Sequence, residues 1–439
     1  MHSNGNGQTG KQTYICGIKN CDMRIHIIIL SLVAPLVALA QNLTLEECIG
    51  KAQANYPAVR QYGLIERSKD YNLSNASKAW LPQIGVSAGA LAFTDILDGD
   101  FLGNMGVEMD NYLLNASVSV NQSIYDGGQT AAGKRVLRAQ SEVERSQTDV
   151  TMYDISERIQ QIYFGILLID EQTAQNSLLQ EDLAICLKSV GSLAEGGLAN
   201  QSDIEAVKVE QLNACQQEAA LRSCRKAYIR MLGVMMGENL PEDVVLSLPQ
   251  TLEETGESDG FVLRPELTLF SAQENLLDEQ RKQINTRLRP TLGAFLTATA
   301  HNKVTDLVNT GIFAGGLSLS WNIGAFYTRK NDIRKLEVQR LLVDTDRDIF
   351  LINNKLSNEE AKGSIEALKE QIGMDDEIVS LRQSIRSKSE KKVMAGTESV
   401  NEMLRDINAV SQARNQKAIH EIQLVKEQYN LRHIVGEQR

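Results

Sequence analysis

The chain repeats itself, and the spacing of the repeat constrains its fold more than any other feature. Pro57 and Pro265 stand 208 residues apart, as do Pro82 and Pro290. Further along the offset changes once. Val118 and Leu317, Arg135 and Arg334, Leu137 and Leu336, and Gly197 and Gly396 are each 199 residues apart. A shared offset means equal spacing inside both copies. The helix before each pair of strands and the helix after it therefore have equal predicted lengths, and the loop between the strands absorbs the nine-residue change. Loops tolerate insertions and rods do not. The predicted plan is a helix, a β-hairpin and a long helical hairpin, twice over.

The strand character is clearest at Ser117–Gly128, SVSVNQSIYDGG. Ser117, Ser119, Asn121 and Ser123 fall on one face of a period-2 ribbon. Ala116, Val118, Val120 and Ile124 fall on the other, with Gln122 as the exception. Small polar residues on one face and apolar ones on the other suit a wall between water and lipid. An ordinary sandwich strand reads the same way. Asp126-Gly127-Gly128 then ends the strand, and a helical pattern runs from Gln129 to about Glu195. Within it Ile155, Ile159, Ile162, Ile166 and Ile169 form a heptad seam, which Leu183, Leu187 and Val190 continue in phase. Roughly 70 residues of helix make a rod of about 100 Å.

The first repeat spans 41–240, with a β-hairpin over 83–125 and a helical hairpin over 129–237 whose tip lies near 196–202. Leu43 to Leu81 reads as helix, broken at Tyr56-Pro57. Thr44 and Glu47 have the spacing of a capping box. Asp95–Asn111, rich in Asp, Gly and Asn, reads as a loop. The second rod helix carries Ile204, Val207, Ala214, Leu221 and Tyr228 on its inner side and ends at Gly237. Residues 241–260 are an acidic connector. The second repeat spans 261–439, with a β-hairpin over 291–324 and a helical hairpin over 328–435 whose tip lies near 395–401.

Ahead of the repeats, Met23-Arg24 opens an apolar run to Leu39 that ends Ala38-Leu39-Ala40. This is the pattern of a secretory signal over 23–40, with processing expected before Gln41. Residues 1–22 do not fit such a signal and read as an extension from an upstream start. The net charge of −11 argues against a nucleic-acid binder. Of the six cysteines, Cys48, Cys186, Cys215 and Cys224 follow the processing site, in no zinc-binding spacing. Cys186 and Cys215 face each other across the predicted helical hairpin, so a disulfide there and buried free thiols are both open.

Four strands in a bilayer leave open edges whose backbone groups lipid cannot satisfy. They can close by oligomerising, and three chains would give a ring of twelve, though the strand count by itself does not choose three over two or four. Here the residues reach a known family. Leu43-Thr44-Leu45-Glu46-Glu47-Cys48 with Tyr56-Pro57, the Leu81-Pro82 strand start, and Ile124-Tyr125-Asp126-Gly127-Gly128-Gln129 resemble the TolC-like outer-membrane efflux proteins, in the same order. So do Gly197-Leu198 with Asp203, and Gly396-Thr397 with Glu402. The resemblance covers about Gln41 to Tyr429. It implies a mainly α chain with membrane β-strands. It implies a homotrimer whose twelve-stranded outer-membrane β-barrel continues into an α-helical periplasmic barrel. It further implies a periplasmic adaptor (membrane fusion protein) and an inner-membrane transporter of the RND or ABC type as partners, and a Gram-negative outer membrane as the location. Two departures stand out. Gly324-Ala325-Phe326-Tyr327 replaces the Asp-Gly-Gly turn in the second copy. Arg405 stands where many members carry a further acid.

Three groups of residues are candidate sites. Asp203 and Glu402, 199 residues apart with Arg405 nearby, are expected to ring a periplasmic aperture and select cations. The same acids serve equally well as helix-start charges. The tips, Gly196, Gly197, Leu198 and Ala199 with Ala395, Gly396 and Thr397, reverse the hairpins. By resemblance they also contact the adaptor. Tyr125, Phe313, Trp321, Phe326 and Tyr327 are a candidate interfacial girdle, with core packing as the alternative. No metal-binding, phosphate-binding or nucleophile motif is present, and neither an enzyme nor a cofactor is expected. Two other classes remain. A periplasmic coiled-coil scaffold or adaptor accounts for the heptads but not the paired strands. A pump-independent porin accounts for the strands but not the rods.

Overall fold

The computed structural model describes residues 42–92, 112–252, 262–301 and 311–436. The expected signal, the upstream extension, the Asp95–Asn111 loop and the connector beyond residue 252 lie outside the described residues. In chain order the elements are α1 (Leu45–Asn55), α2 (Val59–Ser77), a 3₁₀ turn (Lys78–Trp80), β1 (Gln83–Ala92), β2 (Tyr112–Tyr125), α3 (Gln129–Glu195) and α4 (Gln201–Met236). After the connector come α5 (Pro265–Thr286), β3 (Thr291–His301), β4 (Gly311–Ser320), α6 (Ala325–Met394) and α7 (Val400–Val435).

The first element already follows its sequence. Thr44 caps α1 through the predicted box: its Oγ1 accepts from the Glu47 N–H at 3.2 Å, and Glu47 Oε2 accepts from the Thr44 N–H at 3.1 Å. Both rod hairpins appear with the same offset. α4 and α7 each have 36 residues and start and end 199 residues apart. Gly237 and Gly436 close them in the left-handed conformation, at φ 70° and 91°. That region favours glycine because a Cβ is strained there.

Equal rods were expected, but α6 has 70 residues and α3 has 67. The turn after the strands explains it. In the first copy Gly127 and Gly128 take φ of 67° and 86°. Asp126 braces them, with Oδ1 accepting from the Gly128 N–H at 2.8 Å and Oδ2 from the Thr130 N–H at 2.7 Å. The second copy lacks the glycine pair. Gly324, the residue before its helix, is right-handed, at φ −57°. β4 therefore stops at Ser320 and helix starts at Ala325, about a turn earlier than 328.

The seam isoleucines of α3, from Ile155 to Ile169, are all buried. Three polar residues continue the same seam, Thr173, Asn176 and Gln180. Asn176 Nδ2 donates to the Ala214 carbonyl at 3.0 Å, and Gln180 Nε2 to Glu218 Oε2 at 2.9 Å. Polar groups at seam positions fix register, because only one alignment satisfies them. On α4, Val207 and Ala214 are buried as expected, while Leu221 and Tyr228 are only partly so. Burial passes instead to Ile229, Leu232 and Met236. A straight helix drifts about 20° per heptad, so a strict seven-residue spacing leaves the seam after a few turns. Gly165 accommodates the displaced Tyr228 ring, since a Cβ there would lie 2.5 Å from Cε1.

Two apolar cores result. One gathers α1, the middle of α3 and the ends of α4 and α7 around Ile159, Phe164, Leu232 and Ile422. The Tyr163 hydroxyl sits in it, 2.8 Å from the Leu43 carbonyl and 2.6 Å from that of Ser247, tying the chain start to the connector. The other core lies by the tips and joins both hairpins through Leu183, Cys186 and Val207 with Val393, Met403 and Ile407. The Cys186–Cys215 disulfide does not form. The four cysteines among the described residues are free, with Cys48 and Cys186 buried and Cys215 and Cys224 exposed. Burial, the largest cause, pushes the Cys48 and Cys186 thiols up to about 12 and about 11, so neither is a nucleophile at neutral pH.

Candidate functional site: duct wall and helical tips

The strands form one antiparallel sheet in the order β1-β2-β3-β4. None of the four carries Asp, Glu, Lys or Arg. The registers sort the residues into two faces. Ile84, Val86, Val118, Leu296, Phe313, Leu317 and Leu319 share one, and are exposed. Ser87, Ser117, Thr299, Thr297 and Ser318 share the other. On this polar face the Ser87 and Ser117 hydroxyls are 2.7 Å apart. Among the described residues β1 and β4 each have one unpaired edge. A sheet with an uncharged apolar face and open edges is not stable in water or in lipid as a lone unit.

The aromatic residues expected to form one girdle divide into two places. Tyr125, Trp321, Phe326 and Tyr327 are exposed at the helical end of the sheet. Trp321 and Phe326 meet edge to face at 6.4 Å, and Trp321 Nε1 donates to the Leu288 carbonyl at 2.9 Å. Phe313 lies eight residues from Trp321, roughly 27 Å along an extended strand, toward the opposite end. Trp80, not singled out from the sequence, joins the helical-end group beside β1. It is exposed, and its carbonyl accepts from Gln122 Nε2 at 2.7 Å. Its place immediately before Leu81-Pro82 was the available signal.

At the far end of the rods the two tips are built alike. Gly197 and Gly396 take φ of 77° and 70°. Leu198 N–H returns to the Leu193 carbonyl at 2.8 Å, and Thr397 N–H to that of Lys392 at 2.9 Å. Gly197 and Gly396 N–H groups bond the carbonyls of Ala194 and Val393. These pairs are the bonds of a Schellman motif, which only a left-handed residue allows without strain. The preceding cap residues, Gly196 and Ala395, are right-handed. The tips abut, since a side chain at Gly396 would lie 3.9 Å from Leu198 Cδ2. Leu198 is exposed.

Asp203 and Glu402 occupy the same position of α4 and α7, and each completes a capping box. Asp203 Oδ2 accepts from the Asn200 N–H at 2.9 Å while Asn200 Oδ1 accepts from the Asp203 N–H at 3.0 Å. Glu402 Oε2 accepts from the Ser399 N–H and hydroxyl, each at 3.1 Å. These bonds hold the Glu402 carboxyl below its ordinary range, the Ser399 backbone bond most strongly, with a smaller contribution from the charge of Arg405. Arg405 makes no ion pair among the described residues. It lines a groove of about 560 Å³ between α4 and α7 with Val209, Glu210 and Asn408, where Asn408 Nδ2 donates to Glu210 Oε2 at 3.1 Å. Glu402 thus serves as the cap of α7, and among the described residues it forms no ion pair with Arg405.

No protein-family description matches the chain, and no curated protein matches it either. Solved structures do. The outer-membrane channel OprN aligns over 90% of both chains with a TM-score of 0.69 and 11% identity. The chain has the fold of the outer-membrane channels. VceC of Vibrio cholerae aligns over 89% of this chain and 96% of its own, with a TM-score of 0.63 and 12% identity. CmeC of Campylobacter jejuni aligns over 89% and 85%, with a TM-score of 0.65 and 11% identity. At such identities the channel fold is set by the pattern of helices, strands and turns, since few side chains are shared. Among the described residues no group of three or more His, Cys, Asp or Glu side chains is placed to hold a metal ion.

Proposed function

We propose that this chain is an outer-membrane exit duct of a tripartite efflux or type I secretion system in a Gram-negative cell. It passes small molecules or proteins from a periplasmic adaptor and an inner-membrane transporter of the RND or ABC type to the exterior. The observation that carries this reading is the uncharged four-stranded sheet with an exposed apolar face and two open edges, set on rods of about 100 Å. Three copies close it into a twelve-stranded barrel facing lipid, with the polar face inward. The rods continue the barrel as a helical tunnel, and the paired tips meet the adaptor. The fold shared with OprN, VceC and CmeC supports the duct reading.

The test is membrane fractionation followed by mass measurement in mild detergent and conductance in a planar bilayer. A heat-modifiable species of three chains, resistant to alkaline extraction and conducting ions, is expected. A protein washed off by alkali, or a conducting monomer, overturns the assignment.

A further inference from the structure

The sheet also states how its two open edges meet. Gln83 pairs with Asn121, and the residues 208 and 199 positions on, Thr291 and Ser320, pair with each other. The two hairpins are therefore equivalent residue for residue. Within the chain they join through β2 and β3, where Asn121 faces Phe295, Val120 faces Leu296, Val118 faces Ala298 and Ser117 faces Thr299. That is a contact from the second strand of one hairpin to the first strand of the next. If equivalent hairpins close a ring, the contact from β4 to the β1 of another copy is the same contact.

We propose that β4 pairs antiparallel with β1 of a second copy of this chain in the register that the β2–β3 junction dictates. Applying the two offsets sets Ser320 opposite Ser87 of the partner subunit, Leu319 opposite Ala88 of the partner subunit, and Leu317 opposite Ala90 of the partner subunit. Gly316 lies opposite Leu91 of the partner subunit. This inference rests on the trimeric reading above and adds the residue-level seam to it.

Side-chain size supports the register independently. The polar face is built mostly from Gly, Ser, Thr and Asn, yet Leu91 and Phe295 lie on it, 56% and 36% exposed. The Phe295 ring covers Gly316, because a Cβ there would lie 3.3 Å from Cε1 and Cζ. In the proposed register Gly316 sits between Phe295 and Leu91 of the partner subunit. Two large apolar side chains then meet over a position that has none. On the apolar face, Leu317 and Leu319 face alanines. A slip of one residue exchanges the faces. A slip of two in one direction sets Gly316 against Gly89 of the partner subunit, where neither glycine covers the other, and in the other direction it carries Gly316 past the end of β1 at Ala92.

Cysteine pairing tests the seam in a chain whose native cysteines are replaced by serine. Directly opposed residues have Cα atoms about 4.5–5.5 Å apart, within disulfide reach. Diagonal neighbours stand about 7–8 Å apart, beyond it. Leu319→Cys with Ala88→Cys, and Ser320→Cys with Ser87→Cys, should give covalently linked chains on non-reducing gels. Leu319→Cys with Val86→Cys or Ala90→Cys should not. Linkage through Val86 or Ala90 instead overturns the register while leaving the trimer standing. So does a native mass of three chains with no linkage in any pair. A native mass of one chain with no linkage removes the trimer itself.

Discussion

His433 is the residue whose surroundings make the sharpest demand. Its ring stacks on Tyr153 at 4.1 Å, and its carbonyl accepts the Tyr153 hydroxyl at 2.5 Å. The Arg264 guanidinium, paired with Glu266, lies 4.5 Å over the Tyr153 ring. Glu157 Oε2 is 3.5 Å from Nε2. Burial, and then the charge of Arg264, push the imidazole down to about 4. An unfolded histidine titrates near 6.5. Between about pH 6.5 and about 4 the unfolded chain therefore binds a proton that the native chain refuses. Stability is unaffected by this group at neutral pH and falls by about 3 kcal/mol per chain as the pH drops through that window. His433→Phe keeps a ring on Tyr153 and should flatten this part of the thermal-midpoint profile; an unchanged profile rejects a neutral buried imidazole. At the tips, Asp203→Asn with Glu402→Gln removes charge while leaving an acceptor for each cap. Bilayer reversal potentials should show weaker cation selectivity, with helicity by circular dichroism unchanged. Unaltered selectivity would reduce both acids to caps.

At the scale of elements, the tips combine a fixed turn with an exposed apolar residue. Gly197 must be left-handed for α3 to return as α4, and Leu198 projects from the turn it makes. The tip core of Leu183, Val207, Met403 and Ile407 holds the two hairpins together independently of Leu198. Leu198→Asp should therefore abolish export in a complementation assay with the cognate adaptor and pump, while trimer yield and outer-membrane insertion stay normal. Export that survives the substitution places the adaptor contact elsewhere. Gly197→Val differs in kind, since it strains the left-handed turn by about 1–2 kcal/mol and should lower stability as well as export.

For the whole molecule the governing fact is that the sheet has an apolar and a polar face, with no Asp, Glu, Lys or Arg on either. Val118 and Ser119 are neighbours in β2 on opposite faces. A lysine among apolar barrel residues near the bilayer midplane costs about 2–4 kcal/mol, whereas a lumen position is wet. Val118→Lys should sharply reduce assembled protein in outer-membrane fractions. Ser119→Lys should assemble normally and shift the reversal potential toward anions. Equal behaviour of the two variants in fractionation and conductance would contradict a lipid-facing and a water-facing side.

The sequence by itself determined what depends on local chemistry and on repetition. The Thr44–Glu47 cap, the α3 limits at Gln129 and Glu195, the buried isoleucine seam and the glycines at both tips all stand where their residues place them. Such features need only neighbours within a few residues, or a period that a helix or strand reads directly. The rest was decided by local geometry that pattern alone does not weigh, or by tertiary structure. The extra turn of α6 arose from a missing glycine pair in an otherwise matching repeat, and the inner face of α4 moved from Tyr228 to Ile229 because a straight helix drifts from a strict heptad. Phe313 parted from Trp321 because distance along a strand separates what composition groups together. Glu402 took Ser399 rather than Arg405 because a cap three residues back is already in place when the helix starts. The order of the strands, with β2 beside β3 across the whole first rod hairpin, required both copies to be folded together, since no local signal pairs residues 167 (Tyr125 and Leu292) to 186 (Asn115 and His301) positions apart.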